Sequence, residues 1–156
     1  MFSVLRPAAP VKYSANMAIR IPATTDAPLI RTDFTDQPAW LNLIELVRSP
    51  QGDFQANVQP VDDIAFEALT VAESAAAAPT GHTFLLLADG QALTSFEHSV
   101  AVVEVGTART FRVLPAQVWS VENNLSLGNL DFTDFLNSTD TDGVFRGFPI
   151  VSEDAS

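Results

Sequence analysis

Glu122, Asn123 and Asn124 stand side by side in the stretch WSVENNLSLGNLDFTDF, residues 119–135, behind Trp119 and ahead of an apolar run. A carboxylate next to two carboxamides can orient a polar ligand, with Glu122 as a base, if all three line a cleft beside Trp119. The same groups can instead bond backbone in a crossing loop. Pro115 suits the first turn of a helix that turns Val118 and Trp119 inward and keeps Glu122 near their face. Asn123 and Asn124 are poor helix formers, so they are expected at or past that helix's C-terminal end. Asp131 then caps a second helix, with Asp134 at its third position and Phe132, Phe135 and Leu136 turned inward. Within this helix–turn–helix, backbone ties are the simpler expectation and a ligand cleft the alternative.

Carboxylates form the second set. Asp33, the pair Asp62–Asp63, and Asp89 each fall at the C-terminal end of an expected strand, the edge where open α/β sheets bind ligands. Converging there they could hold Mg²⁺, which takes one or two carboxylates plus waters. A phosphate-receiving site would also need a lysine nearby, and the single lysine is Lys12, near the N-terminus. Capping of helices and turns is the plainer role for these acids.

The stretch STDTDGVFRGFP, residues 138–149, fails as a calcium loop. Its ninth position is Arg146 and its twelfth, where a bidentate Glu belongs, is Pro149. His82 and His98 flank strands and read as exposed turn residues. There is no phosphate-binding glycine loop and no G-x-S-x-G, and the absence of cysteine excludes thiol catalysis and thiolate-bound metals. No cofactor and no metal are expected.

The elements that must position these residues read as follows. LIRTDF (29–34) is extended. Thr35 or Asp36 caps a helix with Pro38 in its first turn and a buried face of Trp40, Leu43, Ile44 and Val47. Residues 54–61 alternate as a strand with one wet face. Residues 64–78 predict one alanine-rich helix with Ile64, Ala68 and Val71 on a common side. HTFLLLADG (82–90) reads as a central strand, and 99–106 with 109–115 as an antiparallel hairpin. VFRGF (144–148) either returns to the sheet or lies over the core. The order β-α-β-α-β-β-β-α predicts an α/β (α+β mixed) single-domain sandwich: a mixed sheet of about five strands with three or so packed helices.

Length and charge bound the rest. The 156 residues suit one domain, with 47% apolar residues and 11 Phe to build its core. Residues 1–20 hold three basic residues and no acid; the remainder carries 5 basic against 19 acidic. Such a body repels phosphate backbones, which excludes nucleic acid, and it attracts basic partners. No run reaches the roughly 20 apolar residues that span a bilayer. Residues 1–18 read as a loosely ordered extension, 19–148 as the domain and 149–156 as a tail.

The ordered succession of LIRTDF (29–34), RTFRVLPAQVWSVENNLSLGNLDFTDF (109–135) and DGVFRGF (142–148) resembles a family of small acidic proteins. That family is abundant in actinomycetes, occurs in some fungi and is catalogued as a domain of unknown function. The resemblance implies a single α/β domain over residues 19–148 and no established activity. It places Arg31, Asp33, Arg112, Trp119, Glu122, Asn123, Asn124, Asp131 and Arg146 inside shared motifs. Arg31, Asp33, Trp119, Glu122, Asn123, Asn124 and Arg146 are therefore the candidate ligand or partner-binding residues. The expected function is a non-catalytic cytoplasmic interaction or regulatory module, of immunity type, that binds a basic protein. The alternative is a cofactor-independent small enzyme or small-molecule binder with its cleft near Trp119. A homo-oligomeric structural subunit is a third reading.

Overall fold

The computed structural model describes residues 19–149. Its core is one six-stranded sheet in the order β2-β1-β3-β4-β5-β6. β1 (Ala27–Arg31) lies between β2 (Val58–Val61) and β3 (Phe84–Ala88), parallel to both. β4 (Val100–Glu104) runs against β3 and against β5 (Thr110–Val113), and β6 (Val144–Phe145) joins β5 in parallel. Every strand except β4 therefore points the same way. β1 and β3 are buried at all positions, as strands covered on both faces must be.

Alternate side chains feed two cores. Leu29, Leu86, Val102 and Phe111 face one layer, made by α1 (Gln37–Arg48), α3 (Gly90–Thr94), α4 (Val118–Leu127) and α5 (Phe132–Leu136). Ile30, Leu85, Leu87 and Val103 face the other, made by a 3₁₀ turn (Ile64–Phe66) and α2 (Val71–Ala77). The result is a single-domain three-layer α/β sandwich with a mixed sheet. α1 forms as its sequence predicts: Asp36 accepts the Ala39 N–H, Pro38 sits in the first turn, and Trp40, Leu43 and Val47 are buried. The hairpin of β4 and β5 is also where it was expected.

Five expectations change. The strand expected over 54–61 is only Val58–Val61. Upstream of it the chain turns back through a Gln51–Phe54 bridge, and Phe54 stacks on Trp119 with ring centres 4.4 Å apart. The helix expected over 64–78 is two pieces, because the Ala68 N–H is taken by the Thr32 carbonyl at the end of β1 and Ala68 adopts φ 62°. Helical bonding restarts at Thr70, whose hydroxyl and backbone N–H form a reciprocal capping box with Glu73. Ile64 is consequently exposed rather than buried. α3 was not expected; Asp89 and Gly90 resemble a turn, yet Asp89 caps a short helix through the Ala92 N–H. Asn123 and Asn124 lie inside α4, which ends instead at Gly128 in the left-handed conformation. Among the described residues the count is thus six strands and five α-helices, with β6 settling the fate of VFRGF at the sheet.

The expected extension over 1–18 and all of the expected tail but Pro149 lie outside the described residues. Among the described residues, no helix is long and apolar enough to cross a membrane. The outer strands are poor templates for further pairing: β2 carries Pro60, which has no N–H to offer, and β6 is two residues long.

Candidate functional site

Strand β1 sends one crossover through α1 to β2 and receives β3 on its other side by way of α2 on the opposite face. The chain therefore reverses direction across the sheet between β1 and β3, and ligands of open α/β sheets bind outside the carboxyl ends of such strands. A cleft of about 410 Å³ opens there, lined by Thr32, Asp33, Phe34, Glu67, Asp89 and Gly90 among others. Asp33 enters it as a fixed charge. Its Oδ1 accepts the Thr35 hydroxyl at 2.6 Å and the Thr35 N–H at 2.8 Å. Those two bonds, with Arg31 nearby, hold its carboxyl below the ordinary aspartate value. Its Oδ2 would lie 3.0 Å from a Cβ at position 90, so any larger residue there would press on the Asp33 carboxylate.

Arg31 serves the fold rather than the cleft. It is buried, donates from Nε to the Asp33 carbonyl and from Nη1 to Gln37 Oε1 at 2.6 Å, and lies 3.4 Å from Asp62 Oδ1. Its guanidinium rests 4.4 Å from the Phe34 ring centre and 5.6 Å from that of Trp40.

Two more arginines tie the same edge further along the sheet. Arg112 grips Asp89 with both terminal nitrogens, at 2.7 and 3.0 Å, and also donates to the hydroxyl and carbonyl of Ser99. Arg146, just beyond β6, binds Glu97 from Nε and Nη2 and reaches Asp140 and Asp142 as well. Its hydrogen bonds to Glu97 and Asp142 lower both carboxyls from their ordinary values and raise the arginine in turn. Between β1 and β6 lie four strand spacings, about 19 Å, so Arg146 shares the edge with Arg31 and Asp33 but not their cleft.

The residues on α4 sit at the other end of the sheet. Glu122 Oε1 accepts the Asn57 N–H at 2.8 Å and an Asn123 amide hydrogen at 3.2 Å, while Oε2 accepts the Ser126 hydroxyl. Asn57 immediately precedes β2, whose parallel register with β1 places it at the strands' amino ends. Asn123 and Asn124 donate to the carbonyls of Trp119 and Ser120, four residues back in their own helix. All three are backbone ties in this arrangement. Trp119 is half-buried under Phe54. The cavity nearest this set, about 470 Å³, is lined by Ser126 and Leu125 with Thr24, Asp26, Gly81 and His82. Glu122 is not among its lining residues.

The seven candidates thus occupy three places: Asp33 at the cleft with Arg31 behind it, Arg146 along the same edge, and the α4 set at the opposite edge. Chemically, a cleft with three carboxylates in its lining suits a cationic group. A carboxylate held below its ordinary value, as Asp33 is, makes a weak base at neutral pH. Among the described residues, no group of three or more His, Asp or Glu is arranged to hold a metal ion. His82 and His98 are half-buried rather than exposed; His82 Nε2 accepts the Thr24 N–H, and His98 Nδ1 lies 2.9 Å from the Ala92 carbonyl. Gly90 and Ser99 escape sequence reading, since nothing local marks a glycine that approaches a distant aspartate. Arg112 was visible within a shared motif, but its partner could not be read from spacing.

One family model matches residues 26–148, that of a domain of unknown function, DUF6924. No curated protein matches the sequence.

Proposed function

The chain belongs to this family of domains of unknown function, and we propose that it is a non-catalytic, cytoplasmic interaction module whose acidic surface binds a basic protein. The observation that carries this reading is how the domain uses its cations. Residues 19–149 hold six arginines against seventeen carboxylates. Arg31, Arg109, Arg112 and Arg146 are each paired with the domain's own acids, and Arg48 donates to the Val58 carbonyl. Five of the six arginines thus already have partners within the domain, and the net charge of the surface is left to Asp26, Asp36, Asp53, Asp63 and their like. Such a field speeds encounter with a positive partner and repels nucleic acid and other anionic polymers.

Mixing the chain with a set of purified basic and acidic proteins and measuring complex formation at 50 and 300 mM NaCl tests this. Binding restricted to basic proteins, weakening roughly tenfold or more over that range, is expected because exposed charges more than about 10 Å apart are screened at 0.1 M salt. No binding, or binding indifferent to salt, would overturn the reading.

The cleft between β1 and β3 favours a second reading, a binder of small cationic molecules with Asp33 facing the ligand's amine. Gly90→Ala presses a methyl against Asp33 and is expected to weaken amine binding while leaving charge unchanged. A diamine that binds the parent and the variant equally would remove it.

A further inference from the structure

Resting on the basic-partner reading, we infer that Phe96 and the apolar groove beside it form the surface through which this domain grips a cationic polypeptide. Phe96 is 98% exposed, and no other large apolar side chain among the described residues approaches that figure, Leu127 being next at 72%. A scattered exposed leucine means little, but a fully exposed phenylalanine held in place next to an apolar depression has the make-up of an interface anchor.

The residues on either side hold Phe96 out. α3 ends at Ser95, whose hydroxyl and carbonyl both accept the His98 N–H. His98 takes φ 54°, and its ring nitrogen bonds the Ala92 carbonyl. Glu97 is clamped by two nitrogens of Arg146, at 2.6 and 2.9 Å. With residues 95, 97 and 98 fixed, Phe96 has no route into the core. The backbone on either side of Phe96 is held by these bonds, so little backbone freedom is lost there on binding, and the cost of association falls accordingly.

The groove runs from the residues that follow Phe96. It measures about 350 Å³, exposes mostly apolar surface, and is lined by Leu46, Glu97, His98, Leu114, Pro115 and Ala116 among others. It has room for an apolar side chain of a partner. The surrounding charge selects which partner. Glu97, Asp140 and Asp142 converge on Arg146, three carboxylates on one guanidinium, so the patch keeps an excess of negative charge. A second copy of the chain would bring two such excesses together, within molecules that each carry −11. A segment with apolar residues set among Arg or Lys satisfies both the groove and the charge.

The test uses the full chain, ¹⁵N-labelled, and two synthetic peptides of equal charge: one alternates Arg with Leu, the other Arg with Ser. The Arg–Leu peptide is expected to shift the amide signals of residues 95–98, Leu114 and Ala116 and to bind roughly tenfold or more tightly than Arg–Ser. F96A is expected to bring the Arg–Leu peptide to the Arg–Ser level without moving the thermal midpoint, since the side chain touches little within the fold. If both peptides bind alike and F96A changes nothing, the patch is overturned and the acidic-surface reading survives. If neither binds, both fall. Sedimentation is run beside it: a dimer of the parent that F96A abolishes would make the patch a self-interface and also overturn the proposal.

Discussion

Glu122 differs from its two amide neighbours in what its loss would leave behind. Its carboxylate collects the Asn57 N–H, the Asn123 amide and the Ser126 hydroxyl while being only 6% exposed, so it ties α4 to the start of β2. Glu122→Ala strands those donors, at about 2–3 kcal/mol, since hydrogen bonds to charged groups contribute about 1.5–3 kcal/mol. For a domain of this size that lowers the midpoint by roughly 5–10 °C. Glu122→Gln keeps one acceptor and should lose about half as much. The Asn124 side chain donates within its own helix, to the Ser120 carbonyl at 2.8 Å and its hydroxyl at 3.5 Å, and alanine is the better helix former by about 0.5 kcal/mol. Asn124→Ala is therefore expected to leave the midpoint within about 2 °C of the parent. Thermal unfolding of the three variants side by side decides it. Equal losses at Glu122 and Asn124 would mean that α4 is held by something other than the Asn57 tie.

α3 exists because Asp89 serves two elements at once, capping the helix through Ala92 and receiving both terminal nitrogens of Arg112 from β5. Asp89→Asn retains the cap but loses the charge pairing. Asp89→Ala loses both and leaves Arg112, whose side chain is 18% exposed, short of its counter-charge. Measured in urea, the expected losses are about 1 kcal/mol for asparagine and about 2 kcal/mol for alanine. Identical values would show that the charge pairing with Arg112 alone matters and the cap contributes nothing. Much of the element pattern was legible: Trp40, Leu43 and Val47 on α1, the apolar runs of β1 and β3, and the hairpin of β4 and β5 all announce themselves by periodicity. What was not legible depends on contacts distant in sequence. Ala68 breaks an alanine-rich helix because a carbonyl thirty-six residues earlier takes its N–H, and Asn123 and Asn124 stay helical because Val118 and Val121 bury α4 in the core and Glu122 ties it to Asn57. The site was legible as residue types only. Arg31 and Asp33 stay in contact but take different roles, one tying backbone and one lining the cleft, and spacing alone says nothing of Gly90 approaching Asp33.

The whole molecule carries −11, and four arginines among the described residues are clamped by its own acids, so long-range repulsion and short-range clamps oppose one another and respond differently to solution conditions. Salt weakens repulsion between exposed acids more than about 10 Å apart, while the Arg146, Arg112 and Arg109 pairs, at 2.6 to 2.8 Å, lie well inside that distance. Raising NaCl from 10 to 300 mM at pH 7 should therefore raise the unfolding midpoint, by a few degrees. Acid acts on the clamps instead. Glu97, Glu104, Asp33 and Asp142 are all lowered from ordinary values of 4.5 or 3.8 by hydrogen bonds, three of them from arginine and Asp33's from Thr35. A carboxyl lowered in the folded state binds protons more readily when unfolded. Its stabilising contribution is complete above the ordinary value and disappears as pH falls through the lower, folded one. The midpoint should hold level from pH 7 to about 5 and decline below about 4.5. Arg146→Ala removes the cause of the lowering at Glu97 and Asp142 and should make that decline shallower as well as lowering the plateau. A variant whose acid limb parallels the parent's would place the acid sensitivity elsewhere, at Asp33 or Glu104. The Arg146 clamp would then be a means of presenting Phe96 with no measurable share in stability, which is the outcome expected of well-solvated ion pairs.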